Sequence, residues 1–249
     1  MRGPPRSGTG WAGRVGSRFP GVTRLAAALL LLALGGLPAQ AETLPDYVKD
    51  RLGAWLVVTD DGKPGCRIKL ESGRTIGGYV ASPAPDCAAK NPRLAEVASW
   101  DFEGGVRLRD AARKLLFDFQ EDETTLMKTS WQSPPVAMIV QAKPGVERAP
   151  FAPDLVGTWA LKRPGGATLC EVSLARTPPK RKDGEEQRSL KPGTPCDPAI
   201  ARLRLDTWAV EDFSLMLYGA NESSLRFEPS AEGFDKAEGG KPLSLTRVR

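Results

Sequence analysis

The tetrad Leu52-Gly53-Ala54-Trp55 returns as Val156-Gly157-Thr158-Trp159, and the two tryptophans lie 104 residues apart. Eleven positions beyond each Trp stands a cysteine, Cys66 and Cys170, at the same offset of 104. Each cysteine opens an alternating stretch, Cys66-Arg67-Ile68-Lys69-Leu70 and Cys170-Glu171-Val172-Ser173-Leu174. The second cysteines, Cys87 and Cys196, follow after 21 and 26 positions, and the five extra residues fit the polar stretch 178–187. A further tryptophan then comes thirteen positions after Cys87 (Trp100) and twelve after Cys196 (Trp208), each ahead of another alternating segment. Trp and Cys number only 6 and 4 in 249 residues, so their recurrence in one order marks a tandem duplication. Whatever fold this chain takes must therefore be one that roughly 100 residues can build, twice.

The repeat predicts a first domain over residues 42–142, a linker over 143–154 and a second domain over 155–249. Pro144, Pro150 and Pro153 remove backbone donors from the linker and favour extended chain. Four cysteines permit three pairings. The duplication selects the one that gives each copy its own bridge, Cys66–Cys87 and Cys170–Cys196.

Residues 1–41 have the order of a secretory signal: five arginines and no acid, an apolar run over 25–34, helix breakers Gly35, Gly36 and Pro38, and Ala39-Gln40-Ala41 as a small-x-small cleavage site. The expectation is an exported, periplasmic protein beginning near Glu42, with no membrane span, because the apolar run is about half of the ~20 residues a bilayer requires. An uncleaved anchor is the competing reading. Export brings an oxidising compartment in which cysteines pair.

Without that leader the formal charge balances, 30 basic against 30 acidic residues. A nucleic-acid partner needs a basic footprint on the mature domain and is not expected. Histidine is absent from the whole sequence. That removes Ser-His-Asp and Cys-His hydrolysis, imidazole acid–base chemistry and His-bearing zinc sites. No enzyme, no cofactor and no resident metal are expected.

Period-two alternation dominates both copies. Leu115, Phe117 and Phe119 are set to share a face, as are Leu203 with Leu205, Leu225 with Phe227, and Leu243 with Leu245. Asp60-Asp61-Gly62, Gly77-Gly78, Gly104-Gly105, Gly165-Gly166 and Gly239-Gly240 punctuate short segments. Only 92–97, its counterpart 198–202, and 47–52 read as short helical turns. The predicted fold is all-β: two tandem, small, up-and-down antiparallel barrels of eight strands, closure being the economical way to remove edges. Trp55, Trp100, Trp159 and Trp208 are expected as core anchors.

The same residues resemble the bacterial alkaline-proteinase (serralysin-type metalloprotease) inhibitors. The likeness rests on an exported unit of about a hundred residues, Leu52-Gly53-Ala54-Trp55 near its start, one disulfide, and a second Trp before a Gly-and-Leu strand (Trp100, then Gly104-Gly105-Val106-Arg107-Leu108). It covers most of both copies. The resemblance implies an eight-stranded barrel carrying an N-terminal trunk that enters the cleft of a secreted zinc protease, its first residues at the metal. Here the matching trunk is Glu42-Thr43-Leu44-Pro45-Asp46. The family pattern is a single domain, whereas this chain has two; copy two begins inside a linker without a free amine, so trunk-type inhibition is assigned to copy one. The expected molecule is a monomer. Two other classes compete: a non-catalytic envelope structural or interaction module with no protease target, and, ranked last, a carrier of a small apolar ligand.

Four weaker signals take the plainer reading. Lys180-Arg181-Lys182 reads as a solvated insertion, Asn221-Glu222-Ser223 as a chance sequon, and Asp60-Asp61 and Glu121-Asp122-Glu123 as solvated turns rather than calcium loops.

Overall fold

The computed structural model describes residues 43–249 except 122, 124, 125, 179–186, 238 and 249. The signal-like segment, Glu42 and Lys180-Arg181-Lys182 lie outside the described residues. Residues 44–249 form one compact unit.

The first barrel is led by a single helical turn, α1 (Asp46–Lys49). It is built from β1 (Gly53–Thr59), β2 (Cys66–Thr75), β3 (Gly78–Pro83), β4 (Val97–Phe102), β5 (Gly105–Asp110), β6 (Leu115–Glu121), β7 (Met127–Lys128) and β8 (Ala137–Gln141). Two more helical turns, α2 (Cys87–Lys90) and α3 (Pro92–Ala95), bridge β3 and β4. Every strand pairs antiparallel with the next, and β1 with β8 closes the sheet in a register running from Trp55↔Gln141 to Thr59↔Ala137. The second barrel repeats the plan: α4 (Ala152–Leu155), then β9 (Gly157–Lys162), β10 (Thr168–Leu174), β11 (Arg188–Pro192), α5 (Pro198–Ala201), β12 (Leu205–Glu211), β13 (Ser214–Gly219), β14 (Ser224–Ser230), β15 (Gly233–Lys236) and β16 (Ser244–Arg247). Closure is again first strand to last, with Leu161↔Leu245 and Trp159↔Arg247 in register. The expected pair of closed eight-stranded antiparallel barrels is what the chain forms.

Each barrel is filled by its own side chains. Trp100 and Phe119 in the first, and Trp208 and Phe227 in the second, have no accessible surface. The indoles find partners that keep the duplication's spacing. Trp55 Nε1 donates to the Arg51 carbonyl at 2.7 Å, and Trp159 Nε1 to that of Leu155 at 2.8 Å. Trp100 donates to Glu71 O at 3.1 Å, and Trp208 to Ala175 O at 3.0 Å. Buried indole N–H groups need such acceptors, so these four bonds fix how each first strand and each central strand seat in the core. The bridges are Cys66–Cys87, tying β2 to α2, and Cys170–Cys196, tying β10 to the turn before α5.

One alternation is broken. The sequence sets Leu115, Phe117 and Phe119 on one face, but Leu116 and Phe119 are buried while Leu115 is 40% exposed. The β5–β6 register steps from Leu108↔Phe117 to Arg109↔Leu115, leaving Leu116 as a bulge residue that turns inward.

The segment between the barrels is also more structured than its prolines imply. Val146 and Ala149 are buried in a small apolar cluster with Leu56, Val58, Met138 and Phe213, and Pro153 sits inside α4. Leu56 and Val58 point outward from β1 and Met138 from β8, so this cluster is a seam on the first barrel's outer wall. The corresponding positions of the second barrel, Ala160 and Lys162 on β9 and Ser244 on β16, are polar or small. Ion pairs flank the seam: Lys128–Asp212 at 2.9 Å and Lys143–Glu228 at 2.8 Å. Arg67 reaches from β2 to the Lys143 and Val146 carbonyls and to Glu147 Oε1, each near 3 Å. From the other side Arg247 donates to the Asp154 and Val156 carbonyls, both at 2.8 Å.

Candidate functional site

In an up-and-down barrel the odd strands begin and the even strands end at the same rim, so the start of β1 shares its rim with the β4–β5 and β6–β7 turns. This rim carries residues 43–46 of the expected trunk. Thr43 is exposed, whereas Leu44 is half-buried against the first barrel's core. The Pro45 carbonyl accepts from Val48 N at 3.0 Å and Lys49 N at 3.1 Å, which winds Asp46 into α1. Pro has no amide hydrogen to satisfy and its fixed φ suits entry into a helical turn. Asp46 pairs with Lys49 at 2.8 Å, and this hydrogen bond holds its carboxyl below the ordinary range. Val48 is fully buried beneath the turn.

A second layer pins α1 to the wall. The Arg51 guanidinium lies 3.9 Å over the Phe102 ring and donates to the Tyr47 carbonyl at 3.2 Å. The Tyr47 and Phe102 rings are 5.8 Å apart. Cation–π contact and aromatic packing of this kind resist fraying of a short N-terminal segment. Of the five expected trunk residues, Leu44, Pro45 and Asp46 are thus the anchored base, Thr43 is the exposed part, and Glu42 lies outside the described residues. At the same rim Asp101 is shared by Arg107 and by Arg109, the latter at 2.9 Å, and Arg107 also pairs with Glu103. Asp101's hydrogen bond pushes the Arg107 pKa up, so the cation is fixed at every relevant pH.

Elsewhere the weaker signals at Asp60-Asp61 and Asn221 resolve into local structure, while Asp122 and Lys180-Arg181-Lys182 lie outside the described residues. Asp60 accepts from Val136 N at 3.1 Å and Asp61 from Lys63 N at 3.2 Å, and Asn221 donates to the Arg202 carbonyl at 3.2 Å. Among the described residues no three His, Cys, Asp or Glu side chains gather as a metal-holding group, and no helix is long and apolar enough to cross a membrane.

The family model described as protease inhibitor Inh matches residues 47–138 and again 149–247. The chain belongs to this protease-inhibitor family. Its two matched segments coincide with the two barrels, so the inhibitor module is present in tandem and implies a protease as partner. No curated protein matches the chain. Both disulfides, one per inhibitor module, fall where the duplication places them.

The seam residues Leu56, Val58, Met138 and Phe213 were not among the expected site residues. A signal for them is present in the sequence: Trp55-Leu56-Val57-Val58 is apolar at four consecutive positions, the mark of a strand covered on both faces.

Proposed function

We propose that the chain is an exported, non-catalytic inhibitor of a secreted zinc endopeptidase of serralysin type. After cleavage near Ala41, residues 42–46 form the trunk that occludes the protease cleft. Membership of the inhibitor family carries this reading, and the anchoring of Leu44, Pro45 and Asp46 supports it. A catalytic zinc keeps an open coordination position. A free α-amine, with a pKa of about 8, serves as a nitrogen ligand at modest proton cost. A trunk already tied to a rigid barrel loses little further entropy on docking. Acting as a monomer in the periplasm, such a protein shields the envelope while the protease is in transit.

The test titrates purified protein beginning at Glu42 against a serralysin-type zinc endopeptidase. Stoichiometric loss of activity is expected, abolished by deleting residues 42–46 or by adding an N-terminal Met. Full inhibition by the deleted form moves the contact to another surface. No inhibition by the intact form leaves the structural or interaction module as the reading.

A further inference from the structure

The rim at which the first barrel carries residues 43–46 has a counterpart in the second, where the β12–β13 turn is covered while Ala231 and Glu232 of the β14–β15 turn are exposed. Among the described turn residues of the first barrel's rim, Glu103 and Gly104 between β4 and β5, and Glu121 and Glu123 near β6–β7, are exposed, while Leu126 packs against the seam. In the second, the β12–β13 turn drives Phe213 into the seam, where it is 6% exposed. Beside it Asp212 pairs with Lys128 of the first barrel at 2.9 Å. The β14–β15 turn brings Ala231 so close to Gly145 that a Cβ built on that glycine would lie 2.7 Å from the Ala231 Cβ. The offset of 104 maps trunk residues 42–46 onto 146–150. Within that stretch Val146 is 3% and Ala149 1% exposed, and Arg67 and Lys90 hold Glu147 at 2.9 and 3.2 Å.

We propose that the chain is single-headed: the second module's trunk rim is a docking surface whose occupant is the outer wall of the first barrel, so one chain holds one protease molecule. The proposal rests on the functional reading above and adds stoichiometry and a role for the second barrel. The surfaces are matched in kind. Phe213, Val146 and Ala149 meet Leu56, Val58 and Met138, and the charges at the edge pair with opposite sign on both flanks. The stretch that leads into the first strand of copy one has its counterpart in copy two as an internal strap. The two modules therefore differ not in fold but in what their equivalent rims face.

Two measurements on the full chain beginning at Glu42 test this. Native mass spectrometry with a serralysin-type zinc endopeptidase in excess is expected to show one protease per chain, and none once residues 42–46 are deleted. A complex of two proteases per chain, or one that survives the deletion, overturns the proposal while leaving inhibition intact. Small-angle scattering of the doubly substituted Val146→Asp, Phe213→Asp chain is expected to show a larger radius of gyration with unchanged far-ultraviolet dichroism. An unchanged radius overturns the covered rim. If no protease binds at all, the inhibitor reading falls and scattering alone decides the seam.

Discussion

Arg67 donates to Glu147 across 2.9 Å, from the second strand of the first barrel to the strap that leads into the second. Lys90 meets the other carboxylate oxygen at 3.2 Å and is itself paired with Asp86 at 2.9 Å. The Arg67 hydrogen bond first, and that of Lys90 second, hold the Glu147 carboxyl below the ordinary range. A lowered carboxyl stabilises the fold above its unfolded pKa and loses that contribution as pH falls through its folded value. Glu147→Gln is therefore expected to cost at most about 1 kcal/mol at neutral pH, since the pair is half exposed. It should also flatten the stability curve below about pH 4, where the wild type loses the pair as well. Urea titrations at both pH values check this; an equal deficit at both removes Glu147 from the acid response.

The tryptophan bonds predict equivalent damage in the two barrels. Trp100→Phe leaves the Glu71 carbonyl, and Trp208→Phe the Ala175 carbonyl, without its buried donor, and each opens space in a filled interior. Each substitution is expected to cost about 2–3 kcal/mol. Denaturant unfolding of the two variants should agree within about 1 kcal/mol; a difference well beyond that means the modules do not use these indoles alike.

Removing either bridge should weaken only its own loop. With separations of 21 and 26 residues, replacing both cysteines of a pair by Ser is expected to cost about 3 kcal/mol in the loop-entropy account. Thermal unfolding of the two variants, with and without reductant, checks it. Reductant should lower the wild-type midpoint further than it lowers that of either variant.

Two hairpin glycines admit no side chain. A Cβ at Gly105 would overlap the Phe119 carbonyl oxygen, and one at Gly219 the Leu203 carbonyl oxygen. Gly105→Ala and Gly219→Ala are each expected to cost more than about 3 kcal/mol, because backbone on a neighbouring segment must move. At Gly73 the nearest atom is Val80 Cγ2 at 3.3 Å, and Gly73→Ala should cost under about 1 kcal/mol. Soluble yield and unfolding midpoints rank the three, and a Gly105→Ala protein as stable as Gly73→Ala contradicts the geometry.

Much of the fold was legible because Trp and Cys are scarce and their spacing survives duplication, which places both disulfides and both barrels. Period-two patterning identified strands but not their faults. Nothing in Leu115-Leu116-Phe117 announces that Leu116 is the inward bulge residue, since three adjacent apolar residues satisfy either register. The prolines of 143–154 speak only to backbone freedom, whereas the burial of Val146 and Ala149 there depends on Leu56 and Met138, both distant in sequence. The proposed trunk at residues 42–46 rests on a resemblance alone. Its division into an anchored base at Leu44–Pro45–Asp46 and an exposed Thr43 needed the Pro45 carbonyl and the Phe102 ring in place.

The contrast between the two outer walls has a consequence for assembly. A contact in which one module's end grips its neighbour's side is head-to-tail, the geometry that grows into filaments when every unit offers both halves. Here the apolar flank of the first barrel is already filled from within the chain. The matching positions of the second, Ala160, Lys162 and Ser244, lack those large apolar side chains. Divergence between the copies thus leaves the apolar flank on the first barrel alone, where the chain's own second half fills it.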